Sequence, residues 1–173
     1  MAQPAKRCVL IGLPGAGKTT VGTLLARALG WRFIDIDAEI ERTTGRTIAE
    51  LFQTEGEPAF RAMELRLTAE LSSGAQAVLA PGGGWAAQPG AFESLPPCTA
   101  TVWLRVTPEE AIRRLGGSQN RPLLAGADPV GRLRQLGRER NEYYERADLV
   151  VDVDGRSAED VSRIISAWLR RSS

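Results

Sequence analysis

Residues 12–19 read Gly-Leu-Pro-Gly-Ala-Gly-Lys-Thr, and no other run constrains the chain as strongly. The spacing G-x-x-x-x-G-K-[ST] is that of a loop built to cradle phosphate. Its glycines let successive backbone N–H groups turn inward around phosphate oxygens, and the helix that follows directs its positive N-terminus at the same anion. A lysine at position 18 neutralises the outer phosphates of a nucleoside triphosphate, and the hydroxyl of Thr19 is placed to ligate Mg2+. The flanks agree with this. An apolar run over residues 8–11 predicts a strand before the loop, and an amphipathic pattern over 20–29 predicts a helix after it. The expected nucleotide-binding residues are therefore Gly12, Leu13, Pro14, Gly15, Ala16, Gly17, Lys18, Thr19 and Thr20, with Lys18 also catalytic.

The rest of the chain repeats the strand-then-helix alternation. Strands are expected over residues 7–12, 31–36, 77–80, 101–106 and 148–153, each short and nearly continuous in apolar character, as suits strands covered on both faces. Helix starts are marked by Thr47 with Glu50, Thr107 with Glu110 and Ser157 with Asp160, all at capping-box spacing. Pro58, Pro108 and Pro129 suit first helical turns. Such alternation implies right-handed βαβ units in a doubly wound α/β sheet, with ligands gathered outside the carboxyl ends of the strands. There is no internal repeat or inter-domain linker, so a single domain over residues 1–173 is expected. Two stretches depart from the alternation, the helical segment 37–73 and the Gly/Arg/Pro-containing segment 116–127.

Composition matters where it removes options. The net charge of +1 gives no global case for nucleic-acid or membrane binding. Cys8 and Cys98 have no metal-ligand spacing, and neither a secretory core nor an apolar run near 20 residues is present, which predicts a soluble cytoplasmic chain. There is no histidine, so general-base chemistry near neutral pH falls to a carboxylate, a lysine or water. The run after the third predicted strand, Ala-Pro-Gly-Gly-Gly over 80–84, carries no acid for a metal. Asp35 and Asp37, two apart at the end of the second, can face one side of the sheet edge and divide metal and hydroxyl duties, the alternative being that they end the strand and cap the next helix. Arg61, Arg121 and Arg140 are candidate anion contacts. Gly82, Gly83 and Gly84 permit close backbone approach to a ligand.

These segments taken in order resemble the shikimate kinase family. The resemblance is carried by Leu-Pro-Gly-Ala-Gly-Lys-Thr (13–19), Phe-Ile-Asp-Ile-Asp (33–37), Thr-Gly-Arg-Thr-Ile-Ala-Glu-Leu-Phe (44–52) and Gly-Glu-Pro-Ala-Phe-Arg-Ala-Met-Glu (56–64). Gly-Gly-Gly (82–84), Asn-Arg-Pro-Leu-Leu (120–124) and Arg-Asn-Glu-Tyr-Tyr (140–144) complete it. It spans nearly the whole chain. It implies a P-loop NTPase three-layer αβα sandwich, related to nucleoside monophosphate kinases. A five-stranded parallel sheet would carry an acceptor flap at about 37–73 and a lid at about 116–127.

The implied activity is transfer of the γ-phosphoryl of MgATP to the 3-hydroxyl of shikimate, a step in aromatic amino-acid biosynthesis, by a monomer that needs neither nucleic acid nor membrane. The resemblance assigns Asp35 to Mg2+ through water and Asp37 to the acceptor hydroxyls as the base. It assigns Arg61 and Arg140 to the acceptor carboxylate, and Gly82, Gly83 and Gly84 to its backbone contacts. Phe52, Phe60 and Glu64 shape the acceptor pocket. Arg121 becomes the catalytic lid arginine and a nucleotide contact, Arg114 the side chain stacked on adenine, and the loop 154–158, with Arg156, the second adenine wall. Pro81 and Trp85 beside the glycines, and Ala158 where the family often has proline, depart from the pattern. A gluconate-type kinase on the same scaffold would share the P-loop without the combination of Asp37, Arg61, the triple glycine and Arg140.

Overall fold

The computed structural model describes residues 5–116 and 126–171. Within them β1 (Arg7–Ile11), β2 (Arg32–Asp35), β3 (Ala77–Ala80), β4 (Thr99–Arg105) and β5 (Leu149–Asp152) form one sheet. The strand order is β2-β3-β1-β4-β5 with every pairing parallel. The central strand shows why the sequence reads as a continuous apolar run. Cys8, Val9 and Leu10 are fully buried, because β1 is paired on both edges and covered on both faces. Burial pushes the Cys8 thiol up to about 12, with the Asp148 charge adding to the effect, so this cysteine is core rather than chemistry.

Helices α1 (Lys18–Leu29), α2 (Ile36–Thr44), α3 (Ile48–Ser72), α4 (Pro108–Leu115), α5 (Pro129–Tyr144) and α6 (Ala158–Arg171) complete the described residues, with a short 3-10 turn at Trp85–Ala87. The chain leaves β1 towards β2 on one side and later adds β4 and β5 on the other. The phosphate loop therefore sits where the sheet order reverses, the position at which α/β sheets bind ligands. Among the described residues no helix is long and apolar enough to cross a membrane.

Several boundaries differ from the sequence reading, each for a local reason. The fourth strand starts at Thr99 rather than 101, since Thr99 and Ala100 pair with Arg7 and Cys8. The second strand stops at Asp35, whose carboxylate caps α2 by accepting the Ala38 N–H at 3.2 Å, so Ile36 and Asp37 are helical. The helical segment 37–73 comprises α2 and α3, the second starting just after the expected cap at Thr47. Within α3 the backbone breaks at Gly56 (φ 83°, ψ 166°), so Pro58 opens the helical stretch beyond the break. Thr47 and Glu50 form the full reciprocal box. At Thr107 only the forward bond forms. The Thr107 N–H donates instead to Asp154, and the Glu110 carboxylate turns to Arg113 and Arg114.

Candidate active site

The loop between β1 and α1 is pressed against α4. Gly15 has φ +83°, and a Cβ there would lie 2.6 Å from the Ala111 carbonyl oxygen, so both conformation and space demand glycine. Lys18 arches back over the loop, its Nζ donating to the Gly12 carbonyl at 2.7 Å and the Leu13 carbonyl at 3.1 Å. The N-cap of α1 is Gly17, and no side chain caps the helix, which leaves its first-turn amides directed at the loop's concave side. Thr19 Oγ1 donates to Asp35 Oδ2 at 3.0 Å. Asp35 thus caps a helix and faces the phosphate loop at once.

A cleft of about 720 Å3 runs along this loop, lined by Gly15, Gly17, Lys18, Thr19 and Thr20 at its centre. Gly12, Leu13, Pro14 and Ala16 do not line it: Leu13 and Ala16 are buried in the core, and Gly12 and Pro14 lie against Gly83, where a Cβ would come within 3.1 Å of each. At one end of the cleft lie Arg114, Val153, Gly155, Arg156 and Ala158. Arg114 is pinned along its edges, with Nε donating to Glu110 at 2.8 Å, Nη1 to the Ala16 carbonyl at 3.3 Å and Nη2 to the Val153 carbonyl at 2.7 Å. A guanidinium held by its edges offers its face, the surface that stacks on a planar ring. Hydrogen bonds from Arg113 and then Arg114 hold the Glu110 carboxyl down to about 2. The brace therefore persists until pH falls through that value.

At the other end Asp37, Pro81, Gly82 and Gly83 close the cleft. Alternation along a strand does not bring Asp37 here. It projects from the first turn of α2, just past the cap. Behind it stands Glu64, fully buried, which accepts from the Gly82 N–H at 2.8 Å, Arg61 Nη1 at 2.9 Å and Gln88 Nε2 at 2.9 Å.

The triple glycine makes room for this cluster. A Cβ at Gly82 would lie 2.5 Å from Glu64 Oε1, one at Gly83 3.1 Å from Arg140 Nη1, and one at Gly84 2.7 Å from Arg61 Cζ. The Gly82 N–H is committed to Glu64, so at that position the missing side chain serves packing rather than approach of a backbone amide. Burial disfavours the Arg61 charge, and the Glu64 and Glu57 carboxylates outweigh it, leaving its pKa raised. Its guanidinium lies 5.2 Å from the Phe60 ring centroid, and Phe60 packs on Phe52 at 4.9 Å.

Arg140 is 8% exposed and holds its Nη1 buried with no hydrogen-bond partner among the described residues. Tyr144, one turn on, is fully buried and donates to the Gly83 carbonyl at 2.5 Å. Its burial pushes the phenol up to about 12, so it remains a donor across the physiological range. Trp85 does not narrow the cleft: its indole is fully buried in the core, 5.6 Å from Phe92. Arg121, with residues 117–125 of the expected lid, lies outside the described residues. Gln88 was not singled out by sequence, and Tyr144 stood in the 140–144 segment without a role of its own. Their partners are 24 and 61 residues away, so spacing does not reveal either contact.

Comparison with known proteins shows what the whole chain is similar to. The family profile described as shikimate kinase matches residues 14–169. A shikimate kinase of Moorella thermoacetica is 44% identical over 165 residues, covering 93% of this chain and 95% of that one. A shikimate kinase of Mycobacterium avium is 45% identical over 166 residues, with 95% and 94% covered. The solved structure of shikimate kinase from Acinetobacter baumannii in complex with shikimate superposes with a TM-score of 0.91 at 37% identity, covering 98% of this chain and 94% of that one.

Proposed function

The chain belongs to the shikimate kinase family, and from that premise we propose how its residues divide the transfer of a phosphoryl group from ATP to shikimate. It is an ATP-dependent kinase of shikimate. In our reading the γ-phosphoryl goes to the 3-hydroxyl. Phosphoryl transfer asks little covalent help of a protein and much positioning and charge neutralisation. Lys18 and the N-terminus of α1 hold the outer phosphates, and the face of Arg114 with the loop 154–158, of which Gly155, Arg156 and Ala158 line the cleft, holds adenine.

Thr19 and Asp35 suit Mg2+, since both present hard oxygen donors and face each other at 3.0 Å beside the phosphate loop. Among the described residues no cluster of three or more acidic or cysteine side chains is available, so water and phosphate oxygens would fill most of the coordination shell. Thr19, with Asp35 through water, would hold Mg2+ there, and the ion would supply positive charge against the negative charge that develops on transfer. Asp37 takes the hydroxyl proton, and Arg61 and Arg140 hold the acceptor carboxylate.

The observation that carries this reading is Arg140. A buried guanidinium nitrogen that finds no partner among the described residues is one that a ligand can complete, and this one lies beside Gly83 at the acceptor end of the cleft. Arg140→Ala and Arg61→Ala are each expected to weaken shikimate binding by about 1.5–3 kcal/mol in calorimetry. The methyl ester of shikimate, which lacks the charge, should show a similar deficit on the unaltered protein. Equal affinity for acid and ester would remove the clamp from the account.

A further inference from the structure

Glu64 anchors the acceptor side, and two of its three donors belong to groups already discussed. The third, Gln88, comes from the turn that follows the glycines. Its Nε2 donates to Oε2, the same oxygen that receives Arg61 Nη1, while the Gly82 N–H holds Oε1. Both carboxylate oxygens are therefore fixed from outside the Arg61 pair, and the plane in which Arg61 meets Glu64 is set. This matters because Arg61 has a second acid within reach. Glu57, four residues earlier on the same helix, lies 3.3 Å from both Nε and Nη2 and has a side chain 50% exposed. Any rotation of Glu64 would let Arg61 swing towards Glu57 and the solvent.

Gln88 is itself held rigidly. Its backbone N–H donates to the Trp85 carbonyl at 3.0 Å, and its carbonyl accepts from the Ala91 N–H at 3.1 Å. Trp85, fully buried against Phe92, anchors that turn in the core. The large indole beside the glycines thus has a physical use: it lays the 85–88 turn against α3 so that Gln88 reaches Glu64. A carboxylate only accepts, so the Gln88 side chain must present its NH2 group to it.

We propose that Gln88 is a positioning residue for the acceptor: by holding Oε2 of Glu64 it keeps the Arg61 guanidinium in the pose that receives the substrate carboxylate. The proposal rests on Arg61 being a carboxylate contact, and it acts on binding rather than on the transfer step. Steady-state kinetics with both substrates varied tests it. Gln88→Met, close in length but without a donor, is expected to raise the KM for shikimate about 5- to 20-fold, a part of the loss of one hydrogen bond to a charged group because the effect reaches the acceptor only through Glu64 and Arg61. The kcat and the KM for ATP should stay within about twofold, a split that general loosening of the fold would not produce. In an Arg61→Ala background the same change should add less than about twofold, because the two residues act through one contact. Gln88→Asn, one methylene short of Glu64, gives the same result if Gln88→Met folds poorly. An unchanged acceptor KM in these variants, with Arg61→Ala raising it, overturns the role of Gln88 and leaves the clamp standing. No effect of Arg61→Ala on the acceptor KM overturns the reading of Arg61 itself.

Discussion

Asp37→Asn is expected to lower kcat by about 10²-fold or more, the usual contribution of a positioned general base. The substitution keeps the shape of the side chain and removes its ability to take a proton. Asp37 lines the cleft from the first turn of α2, and Gly82 brings the opposite wall so close that a Cβ there would lie 3.6 Å from Asp37 Oδ1. The chain has no histidine, so no imidazole can take over. Asparagine still offers an oxygen to a hydroxyl, so the acceptor KM should change far less than kcat. Fold integrity is checked by circular dichroism, and the rate by ADP release at saturating substrates. A folded variant with near-normal kcat would remove Asp37 as the base.

Lys18→Met is expected to reduce kcat by about 10²–10³-fold, as for loss of a preorganised charge aimed at the transition state. Methionine approximates the length of the lysine stem and deletes the ammonium. That ammonium is already bound by the Gly12 and Leu13 carbonyls at 2.7 and 3.1 Å, so the loop fixes its position before any phosphate contact. Lys18→Arg should recover little. The guanidinium is broader than an ammonium, and the loop it would span is packed against α4 at Gly15. The chain offers an independent check because its only other lysine is the exposed Lys6. Amine-selective labelling followed by mass spectrometry should show Lys18 protected by ATP and Lys6 unaffected. Full activity in Lys18→Met would contradict the role assigned to it.

The features legible in the sequence are those whose chemistry is local. The phosphate loop is contiguous, and its glycines encode backbone geometry directly, so residues 12–19 announce both a fold and a ligand. The parallel strands are legible because burial on both faces leaves a near-continuous apolar run, as in β1.

Contacts made only in the folded chain are not legible. Asp35 and Asp37 were expected to share a face through strand alternation, whereas a helix starting at Ile36 supplies the geometry. Glu110 has capping-box spacing, yet its carboxylate braces Arg114, a use invisible without Val153 and Ala16 on the far side of that guanidinium. The triple glycine was readable as close approach, but the approaching groups include Glu64, Arg61 and Arg140, drawn from two helices. Gln88 had no signal at all.

The most direct test is ADP release by the purified chain with MgATP and a panel of hydroxy acids that includes shikimate, its methyl ester and gluconate. Phosphorus NMR then locates the transferred group. ADP release that depends on shikimate, is weak with the ester, and gives a phosphomonoester at the 3-hydroxyl is the predicted result. Turnover with gluconate and none with shikimate would contradict it.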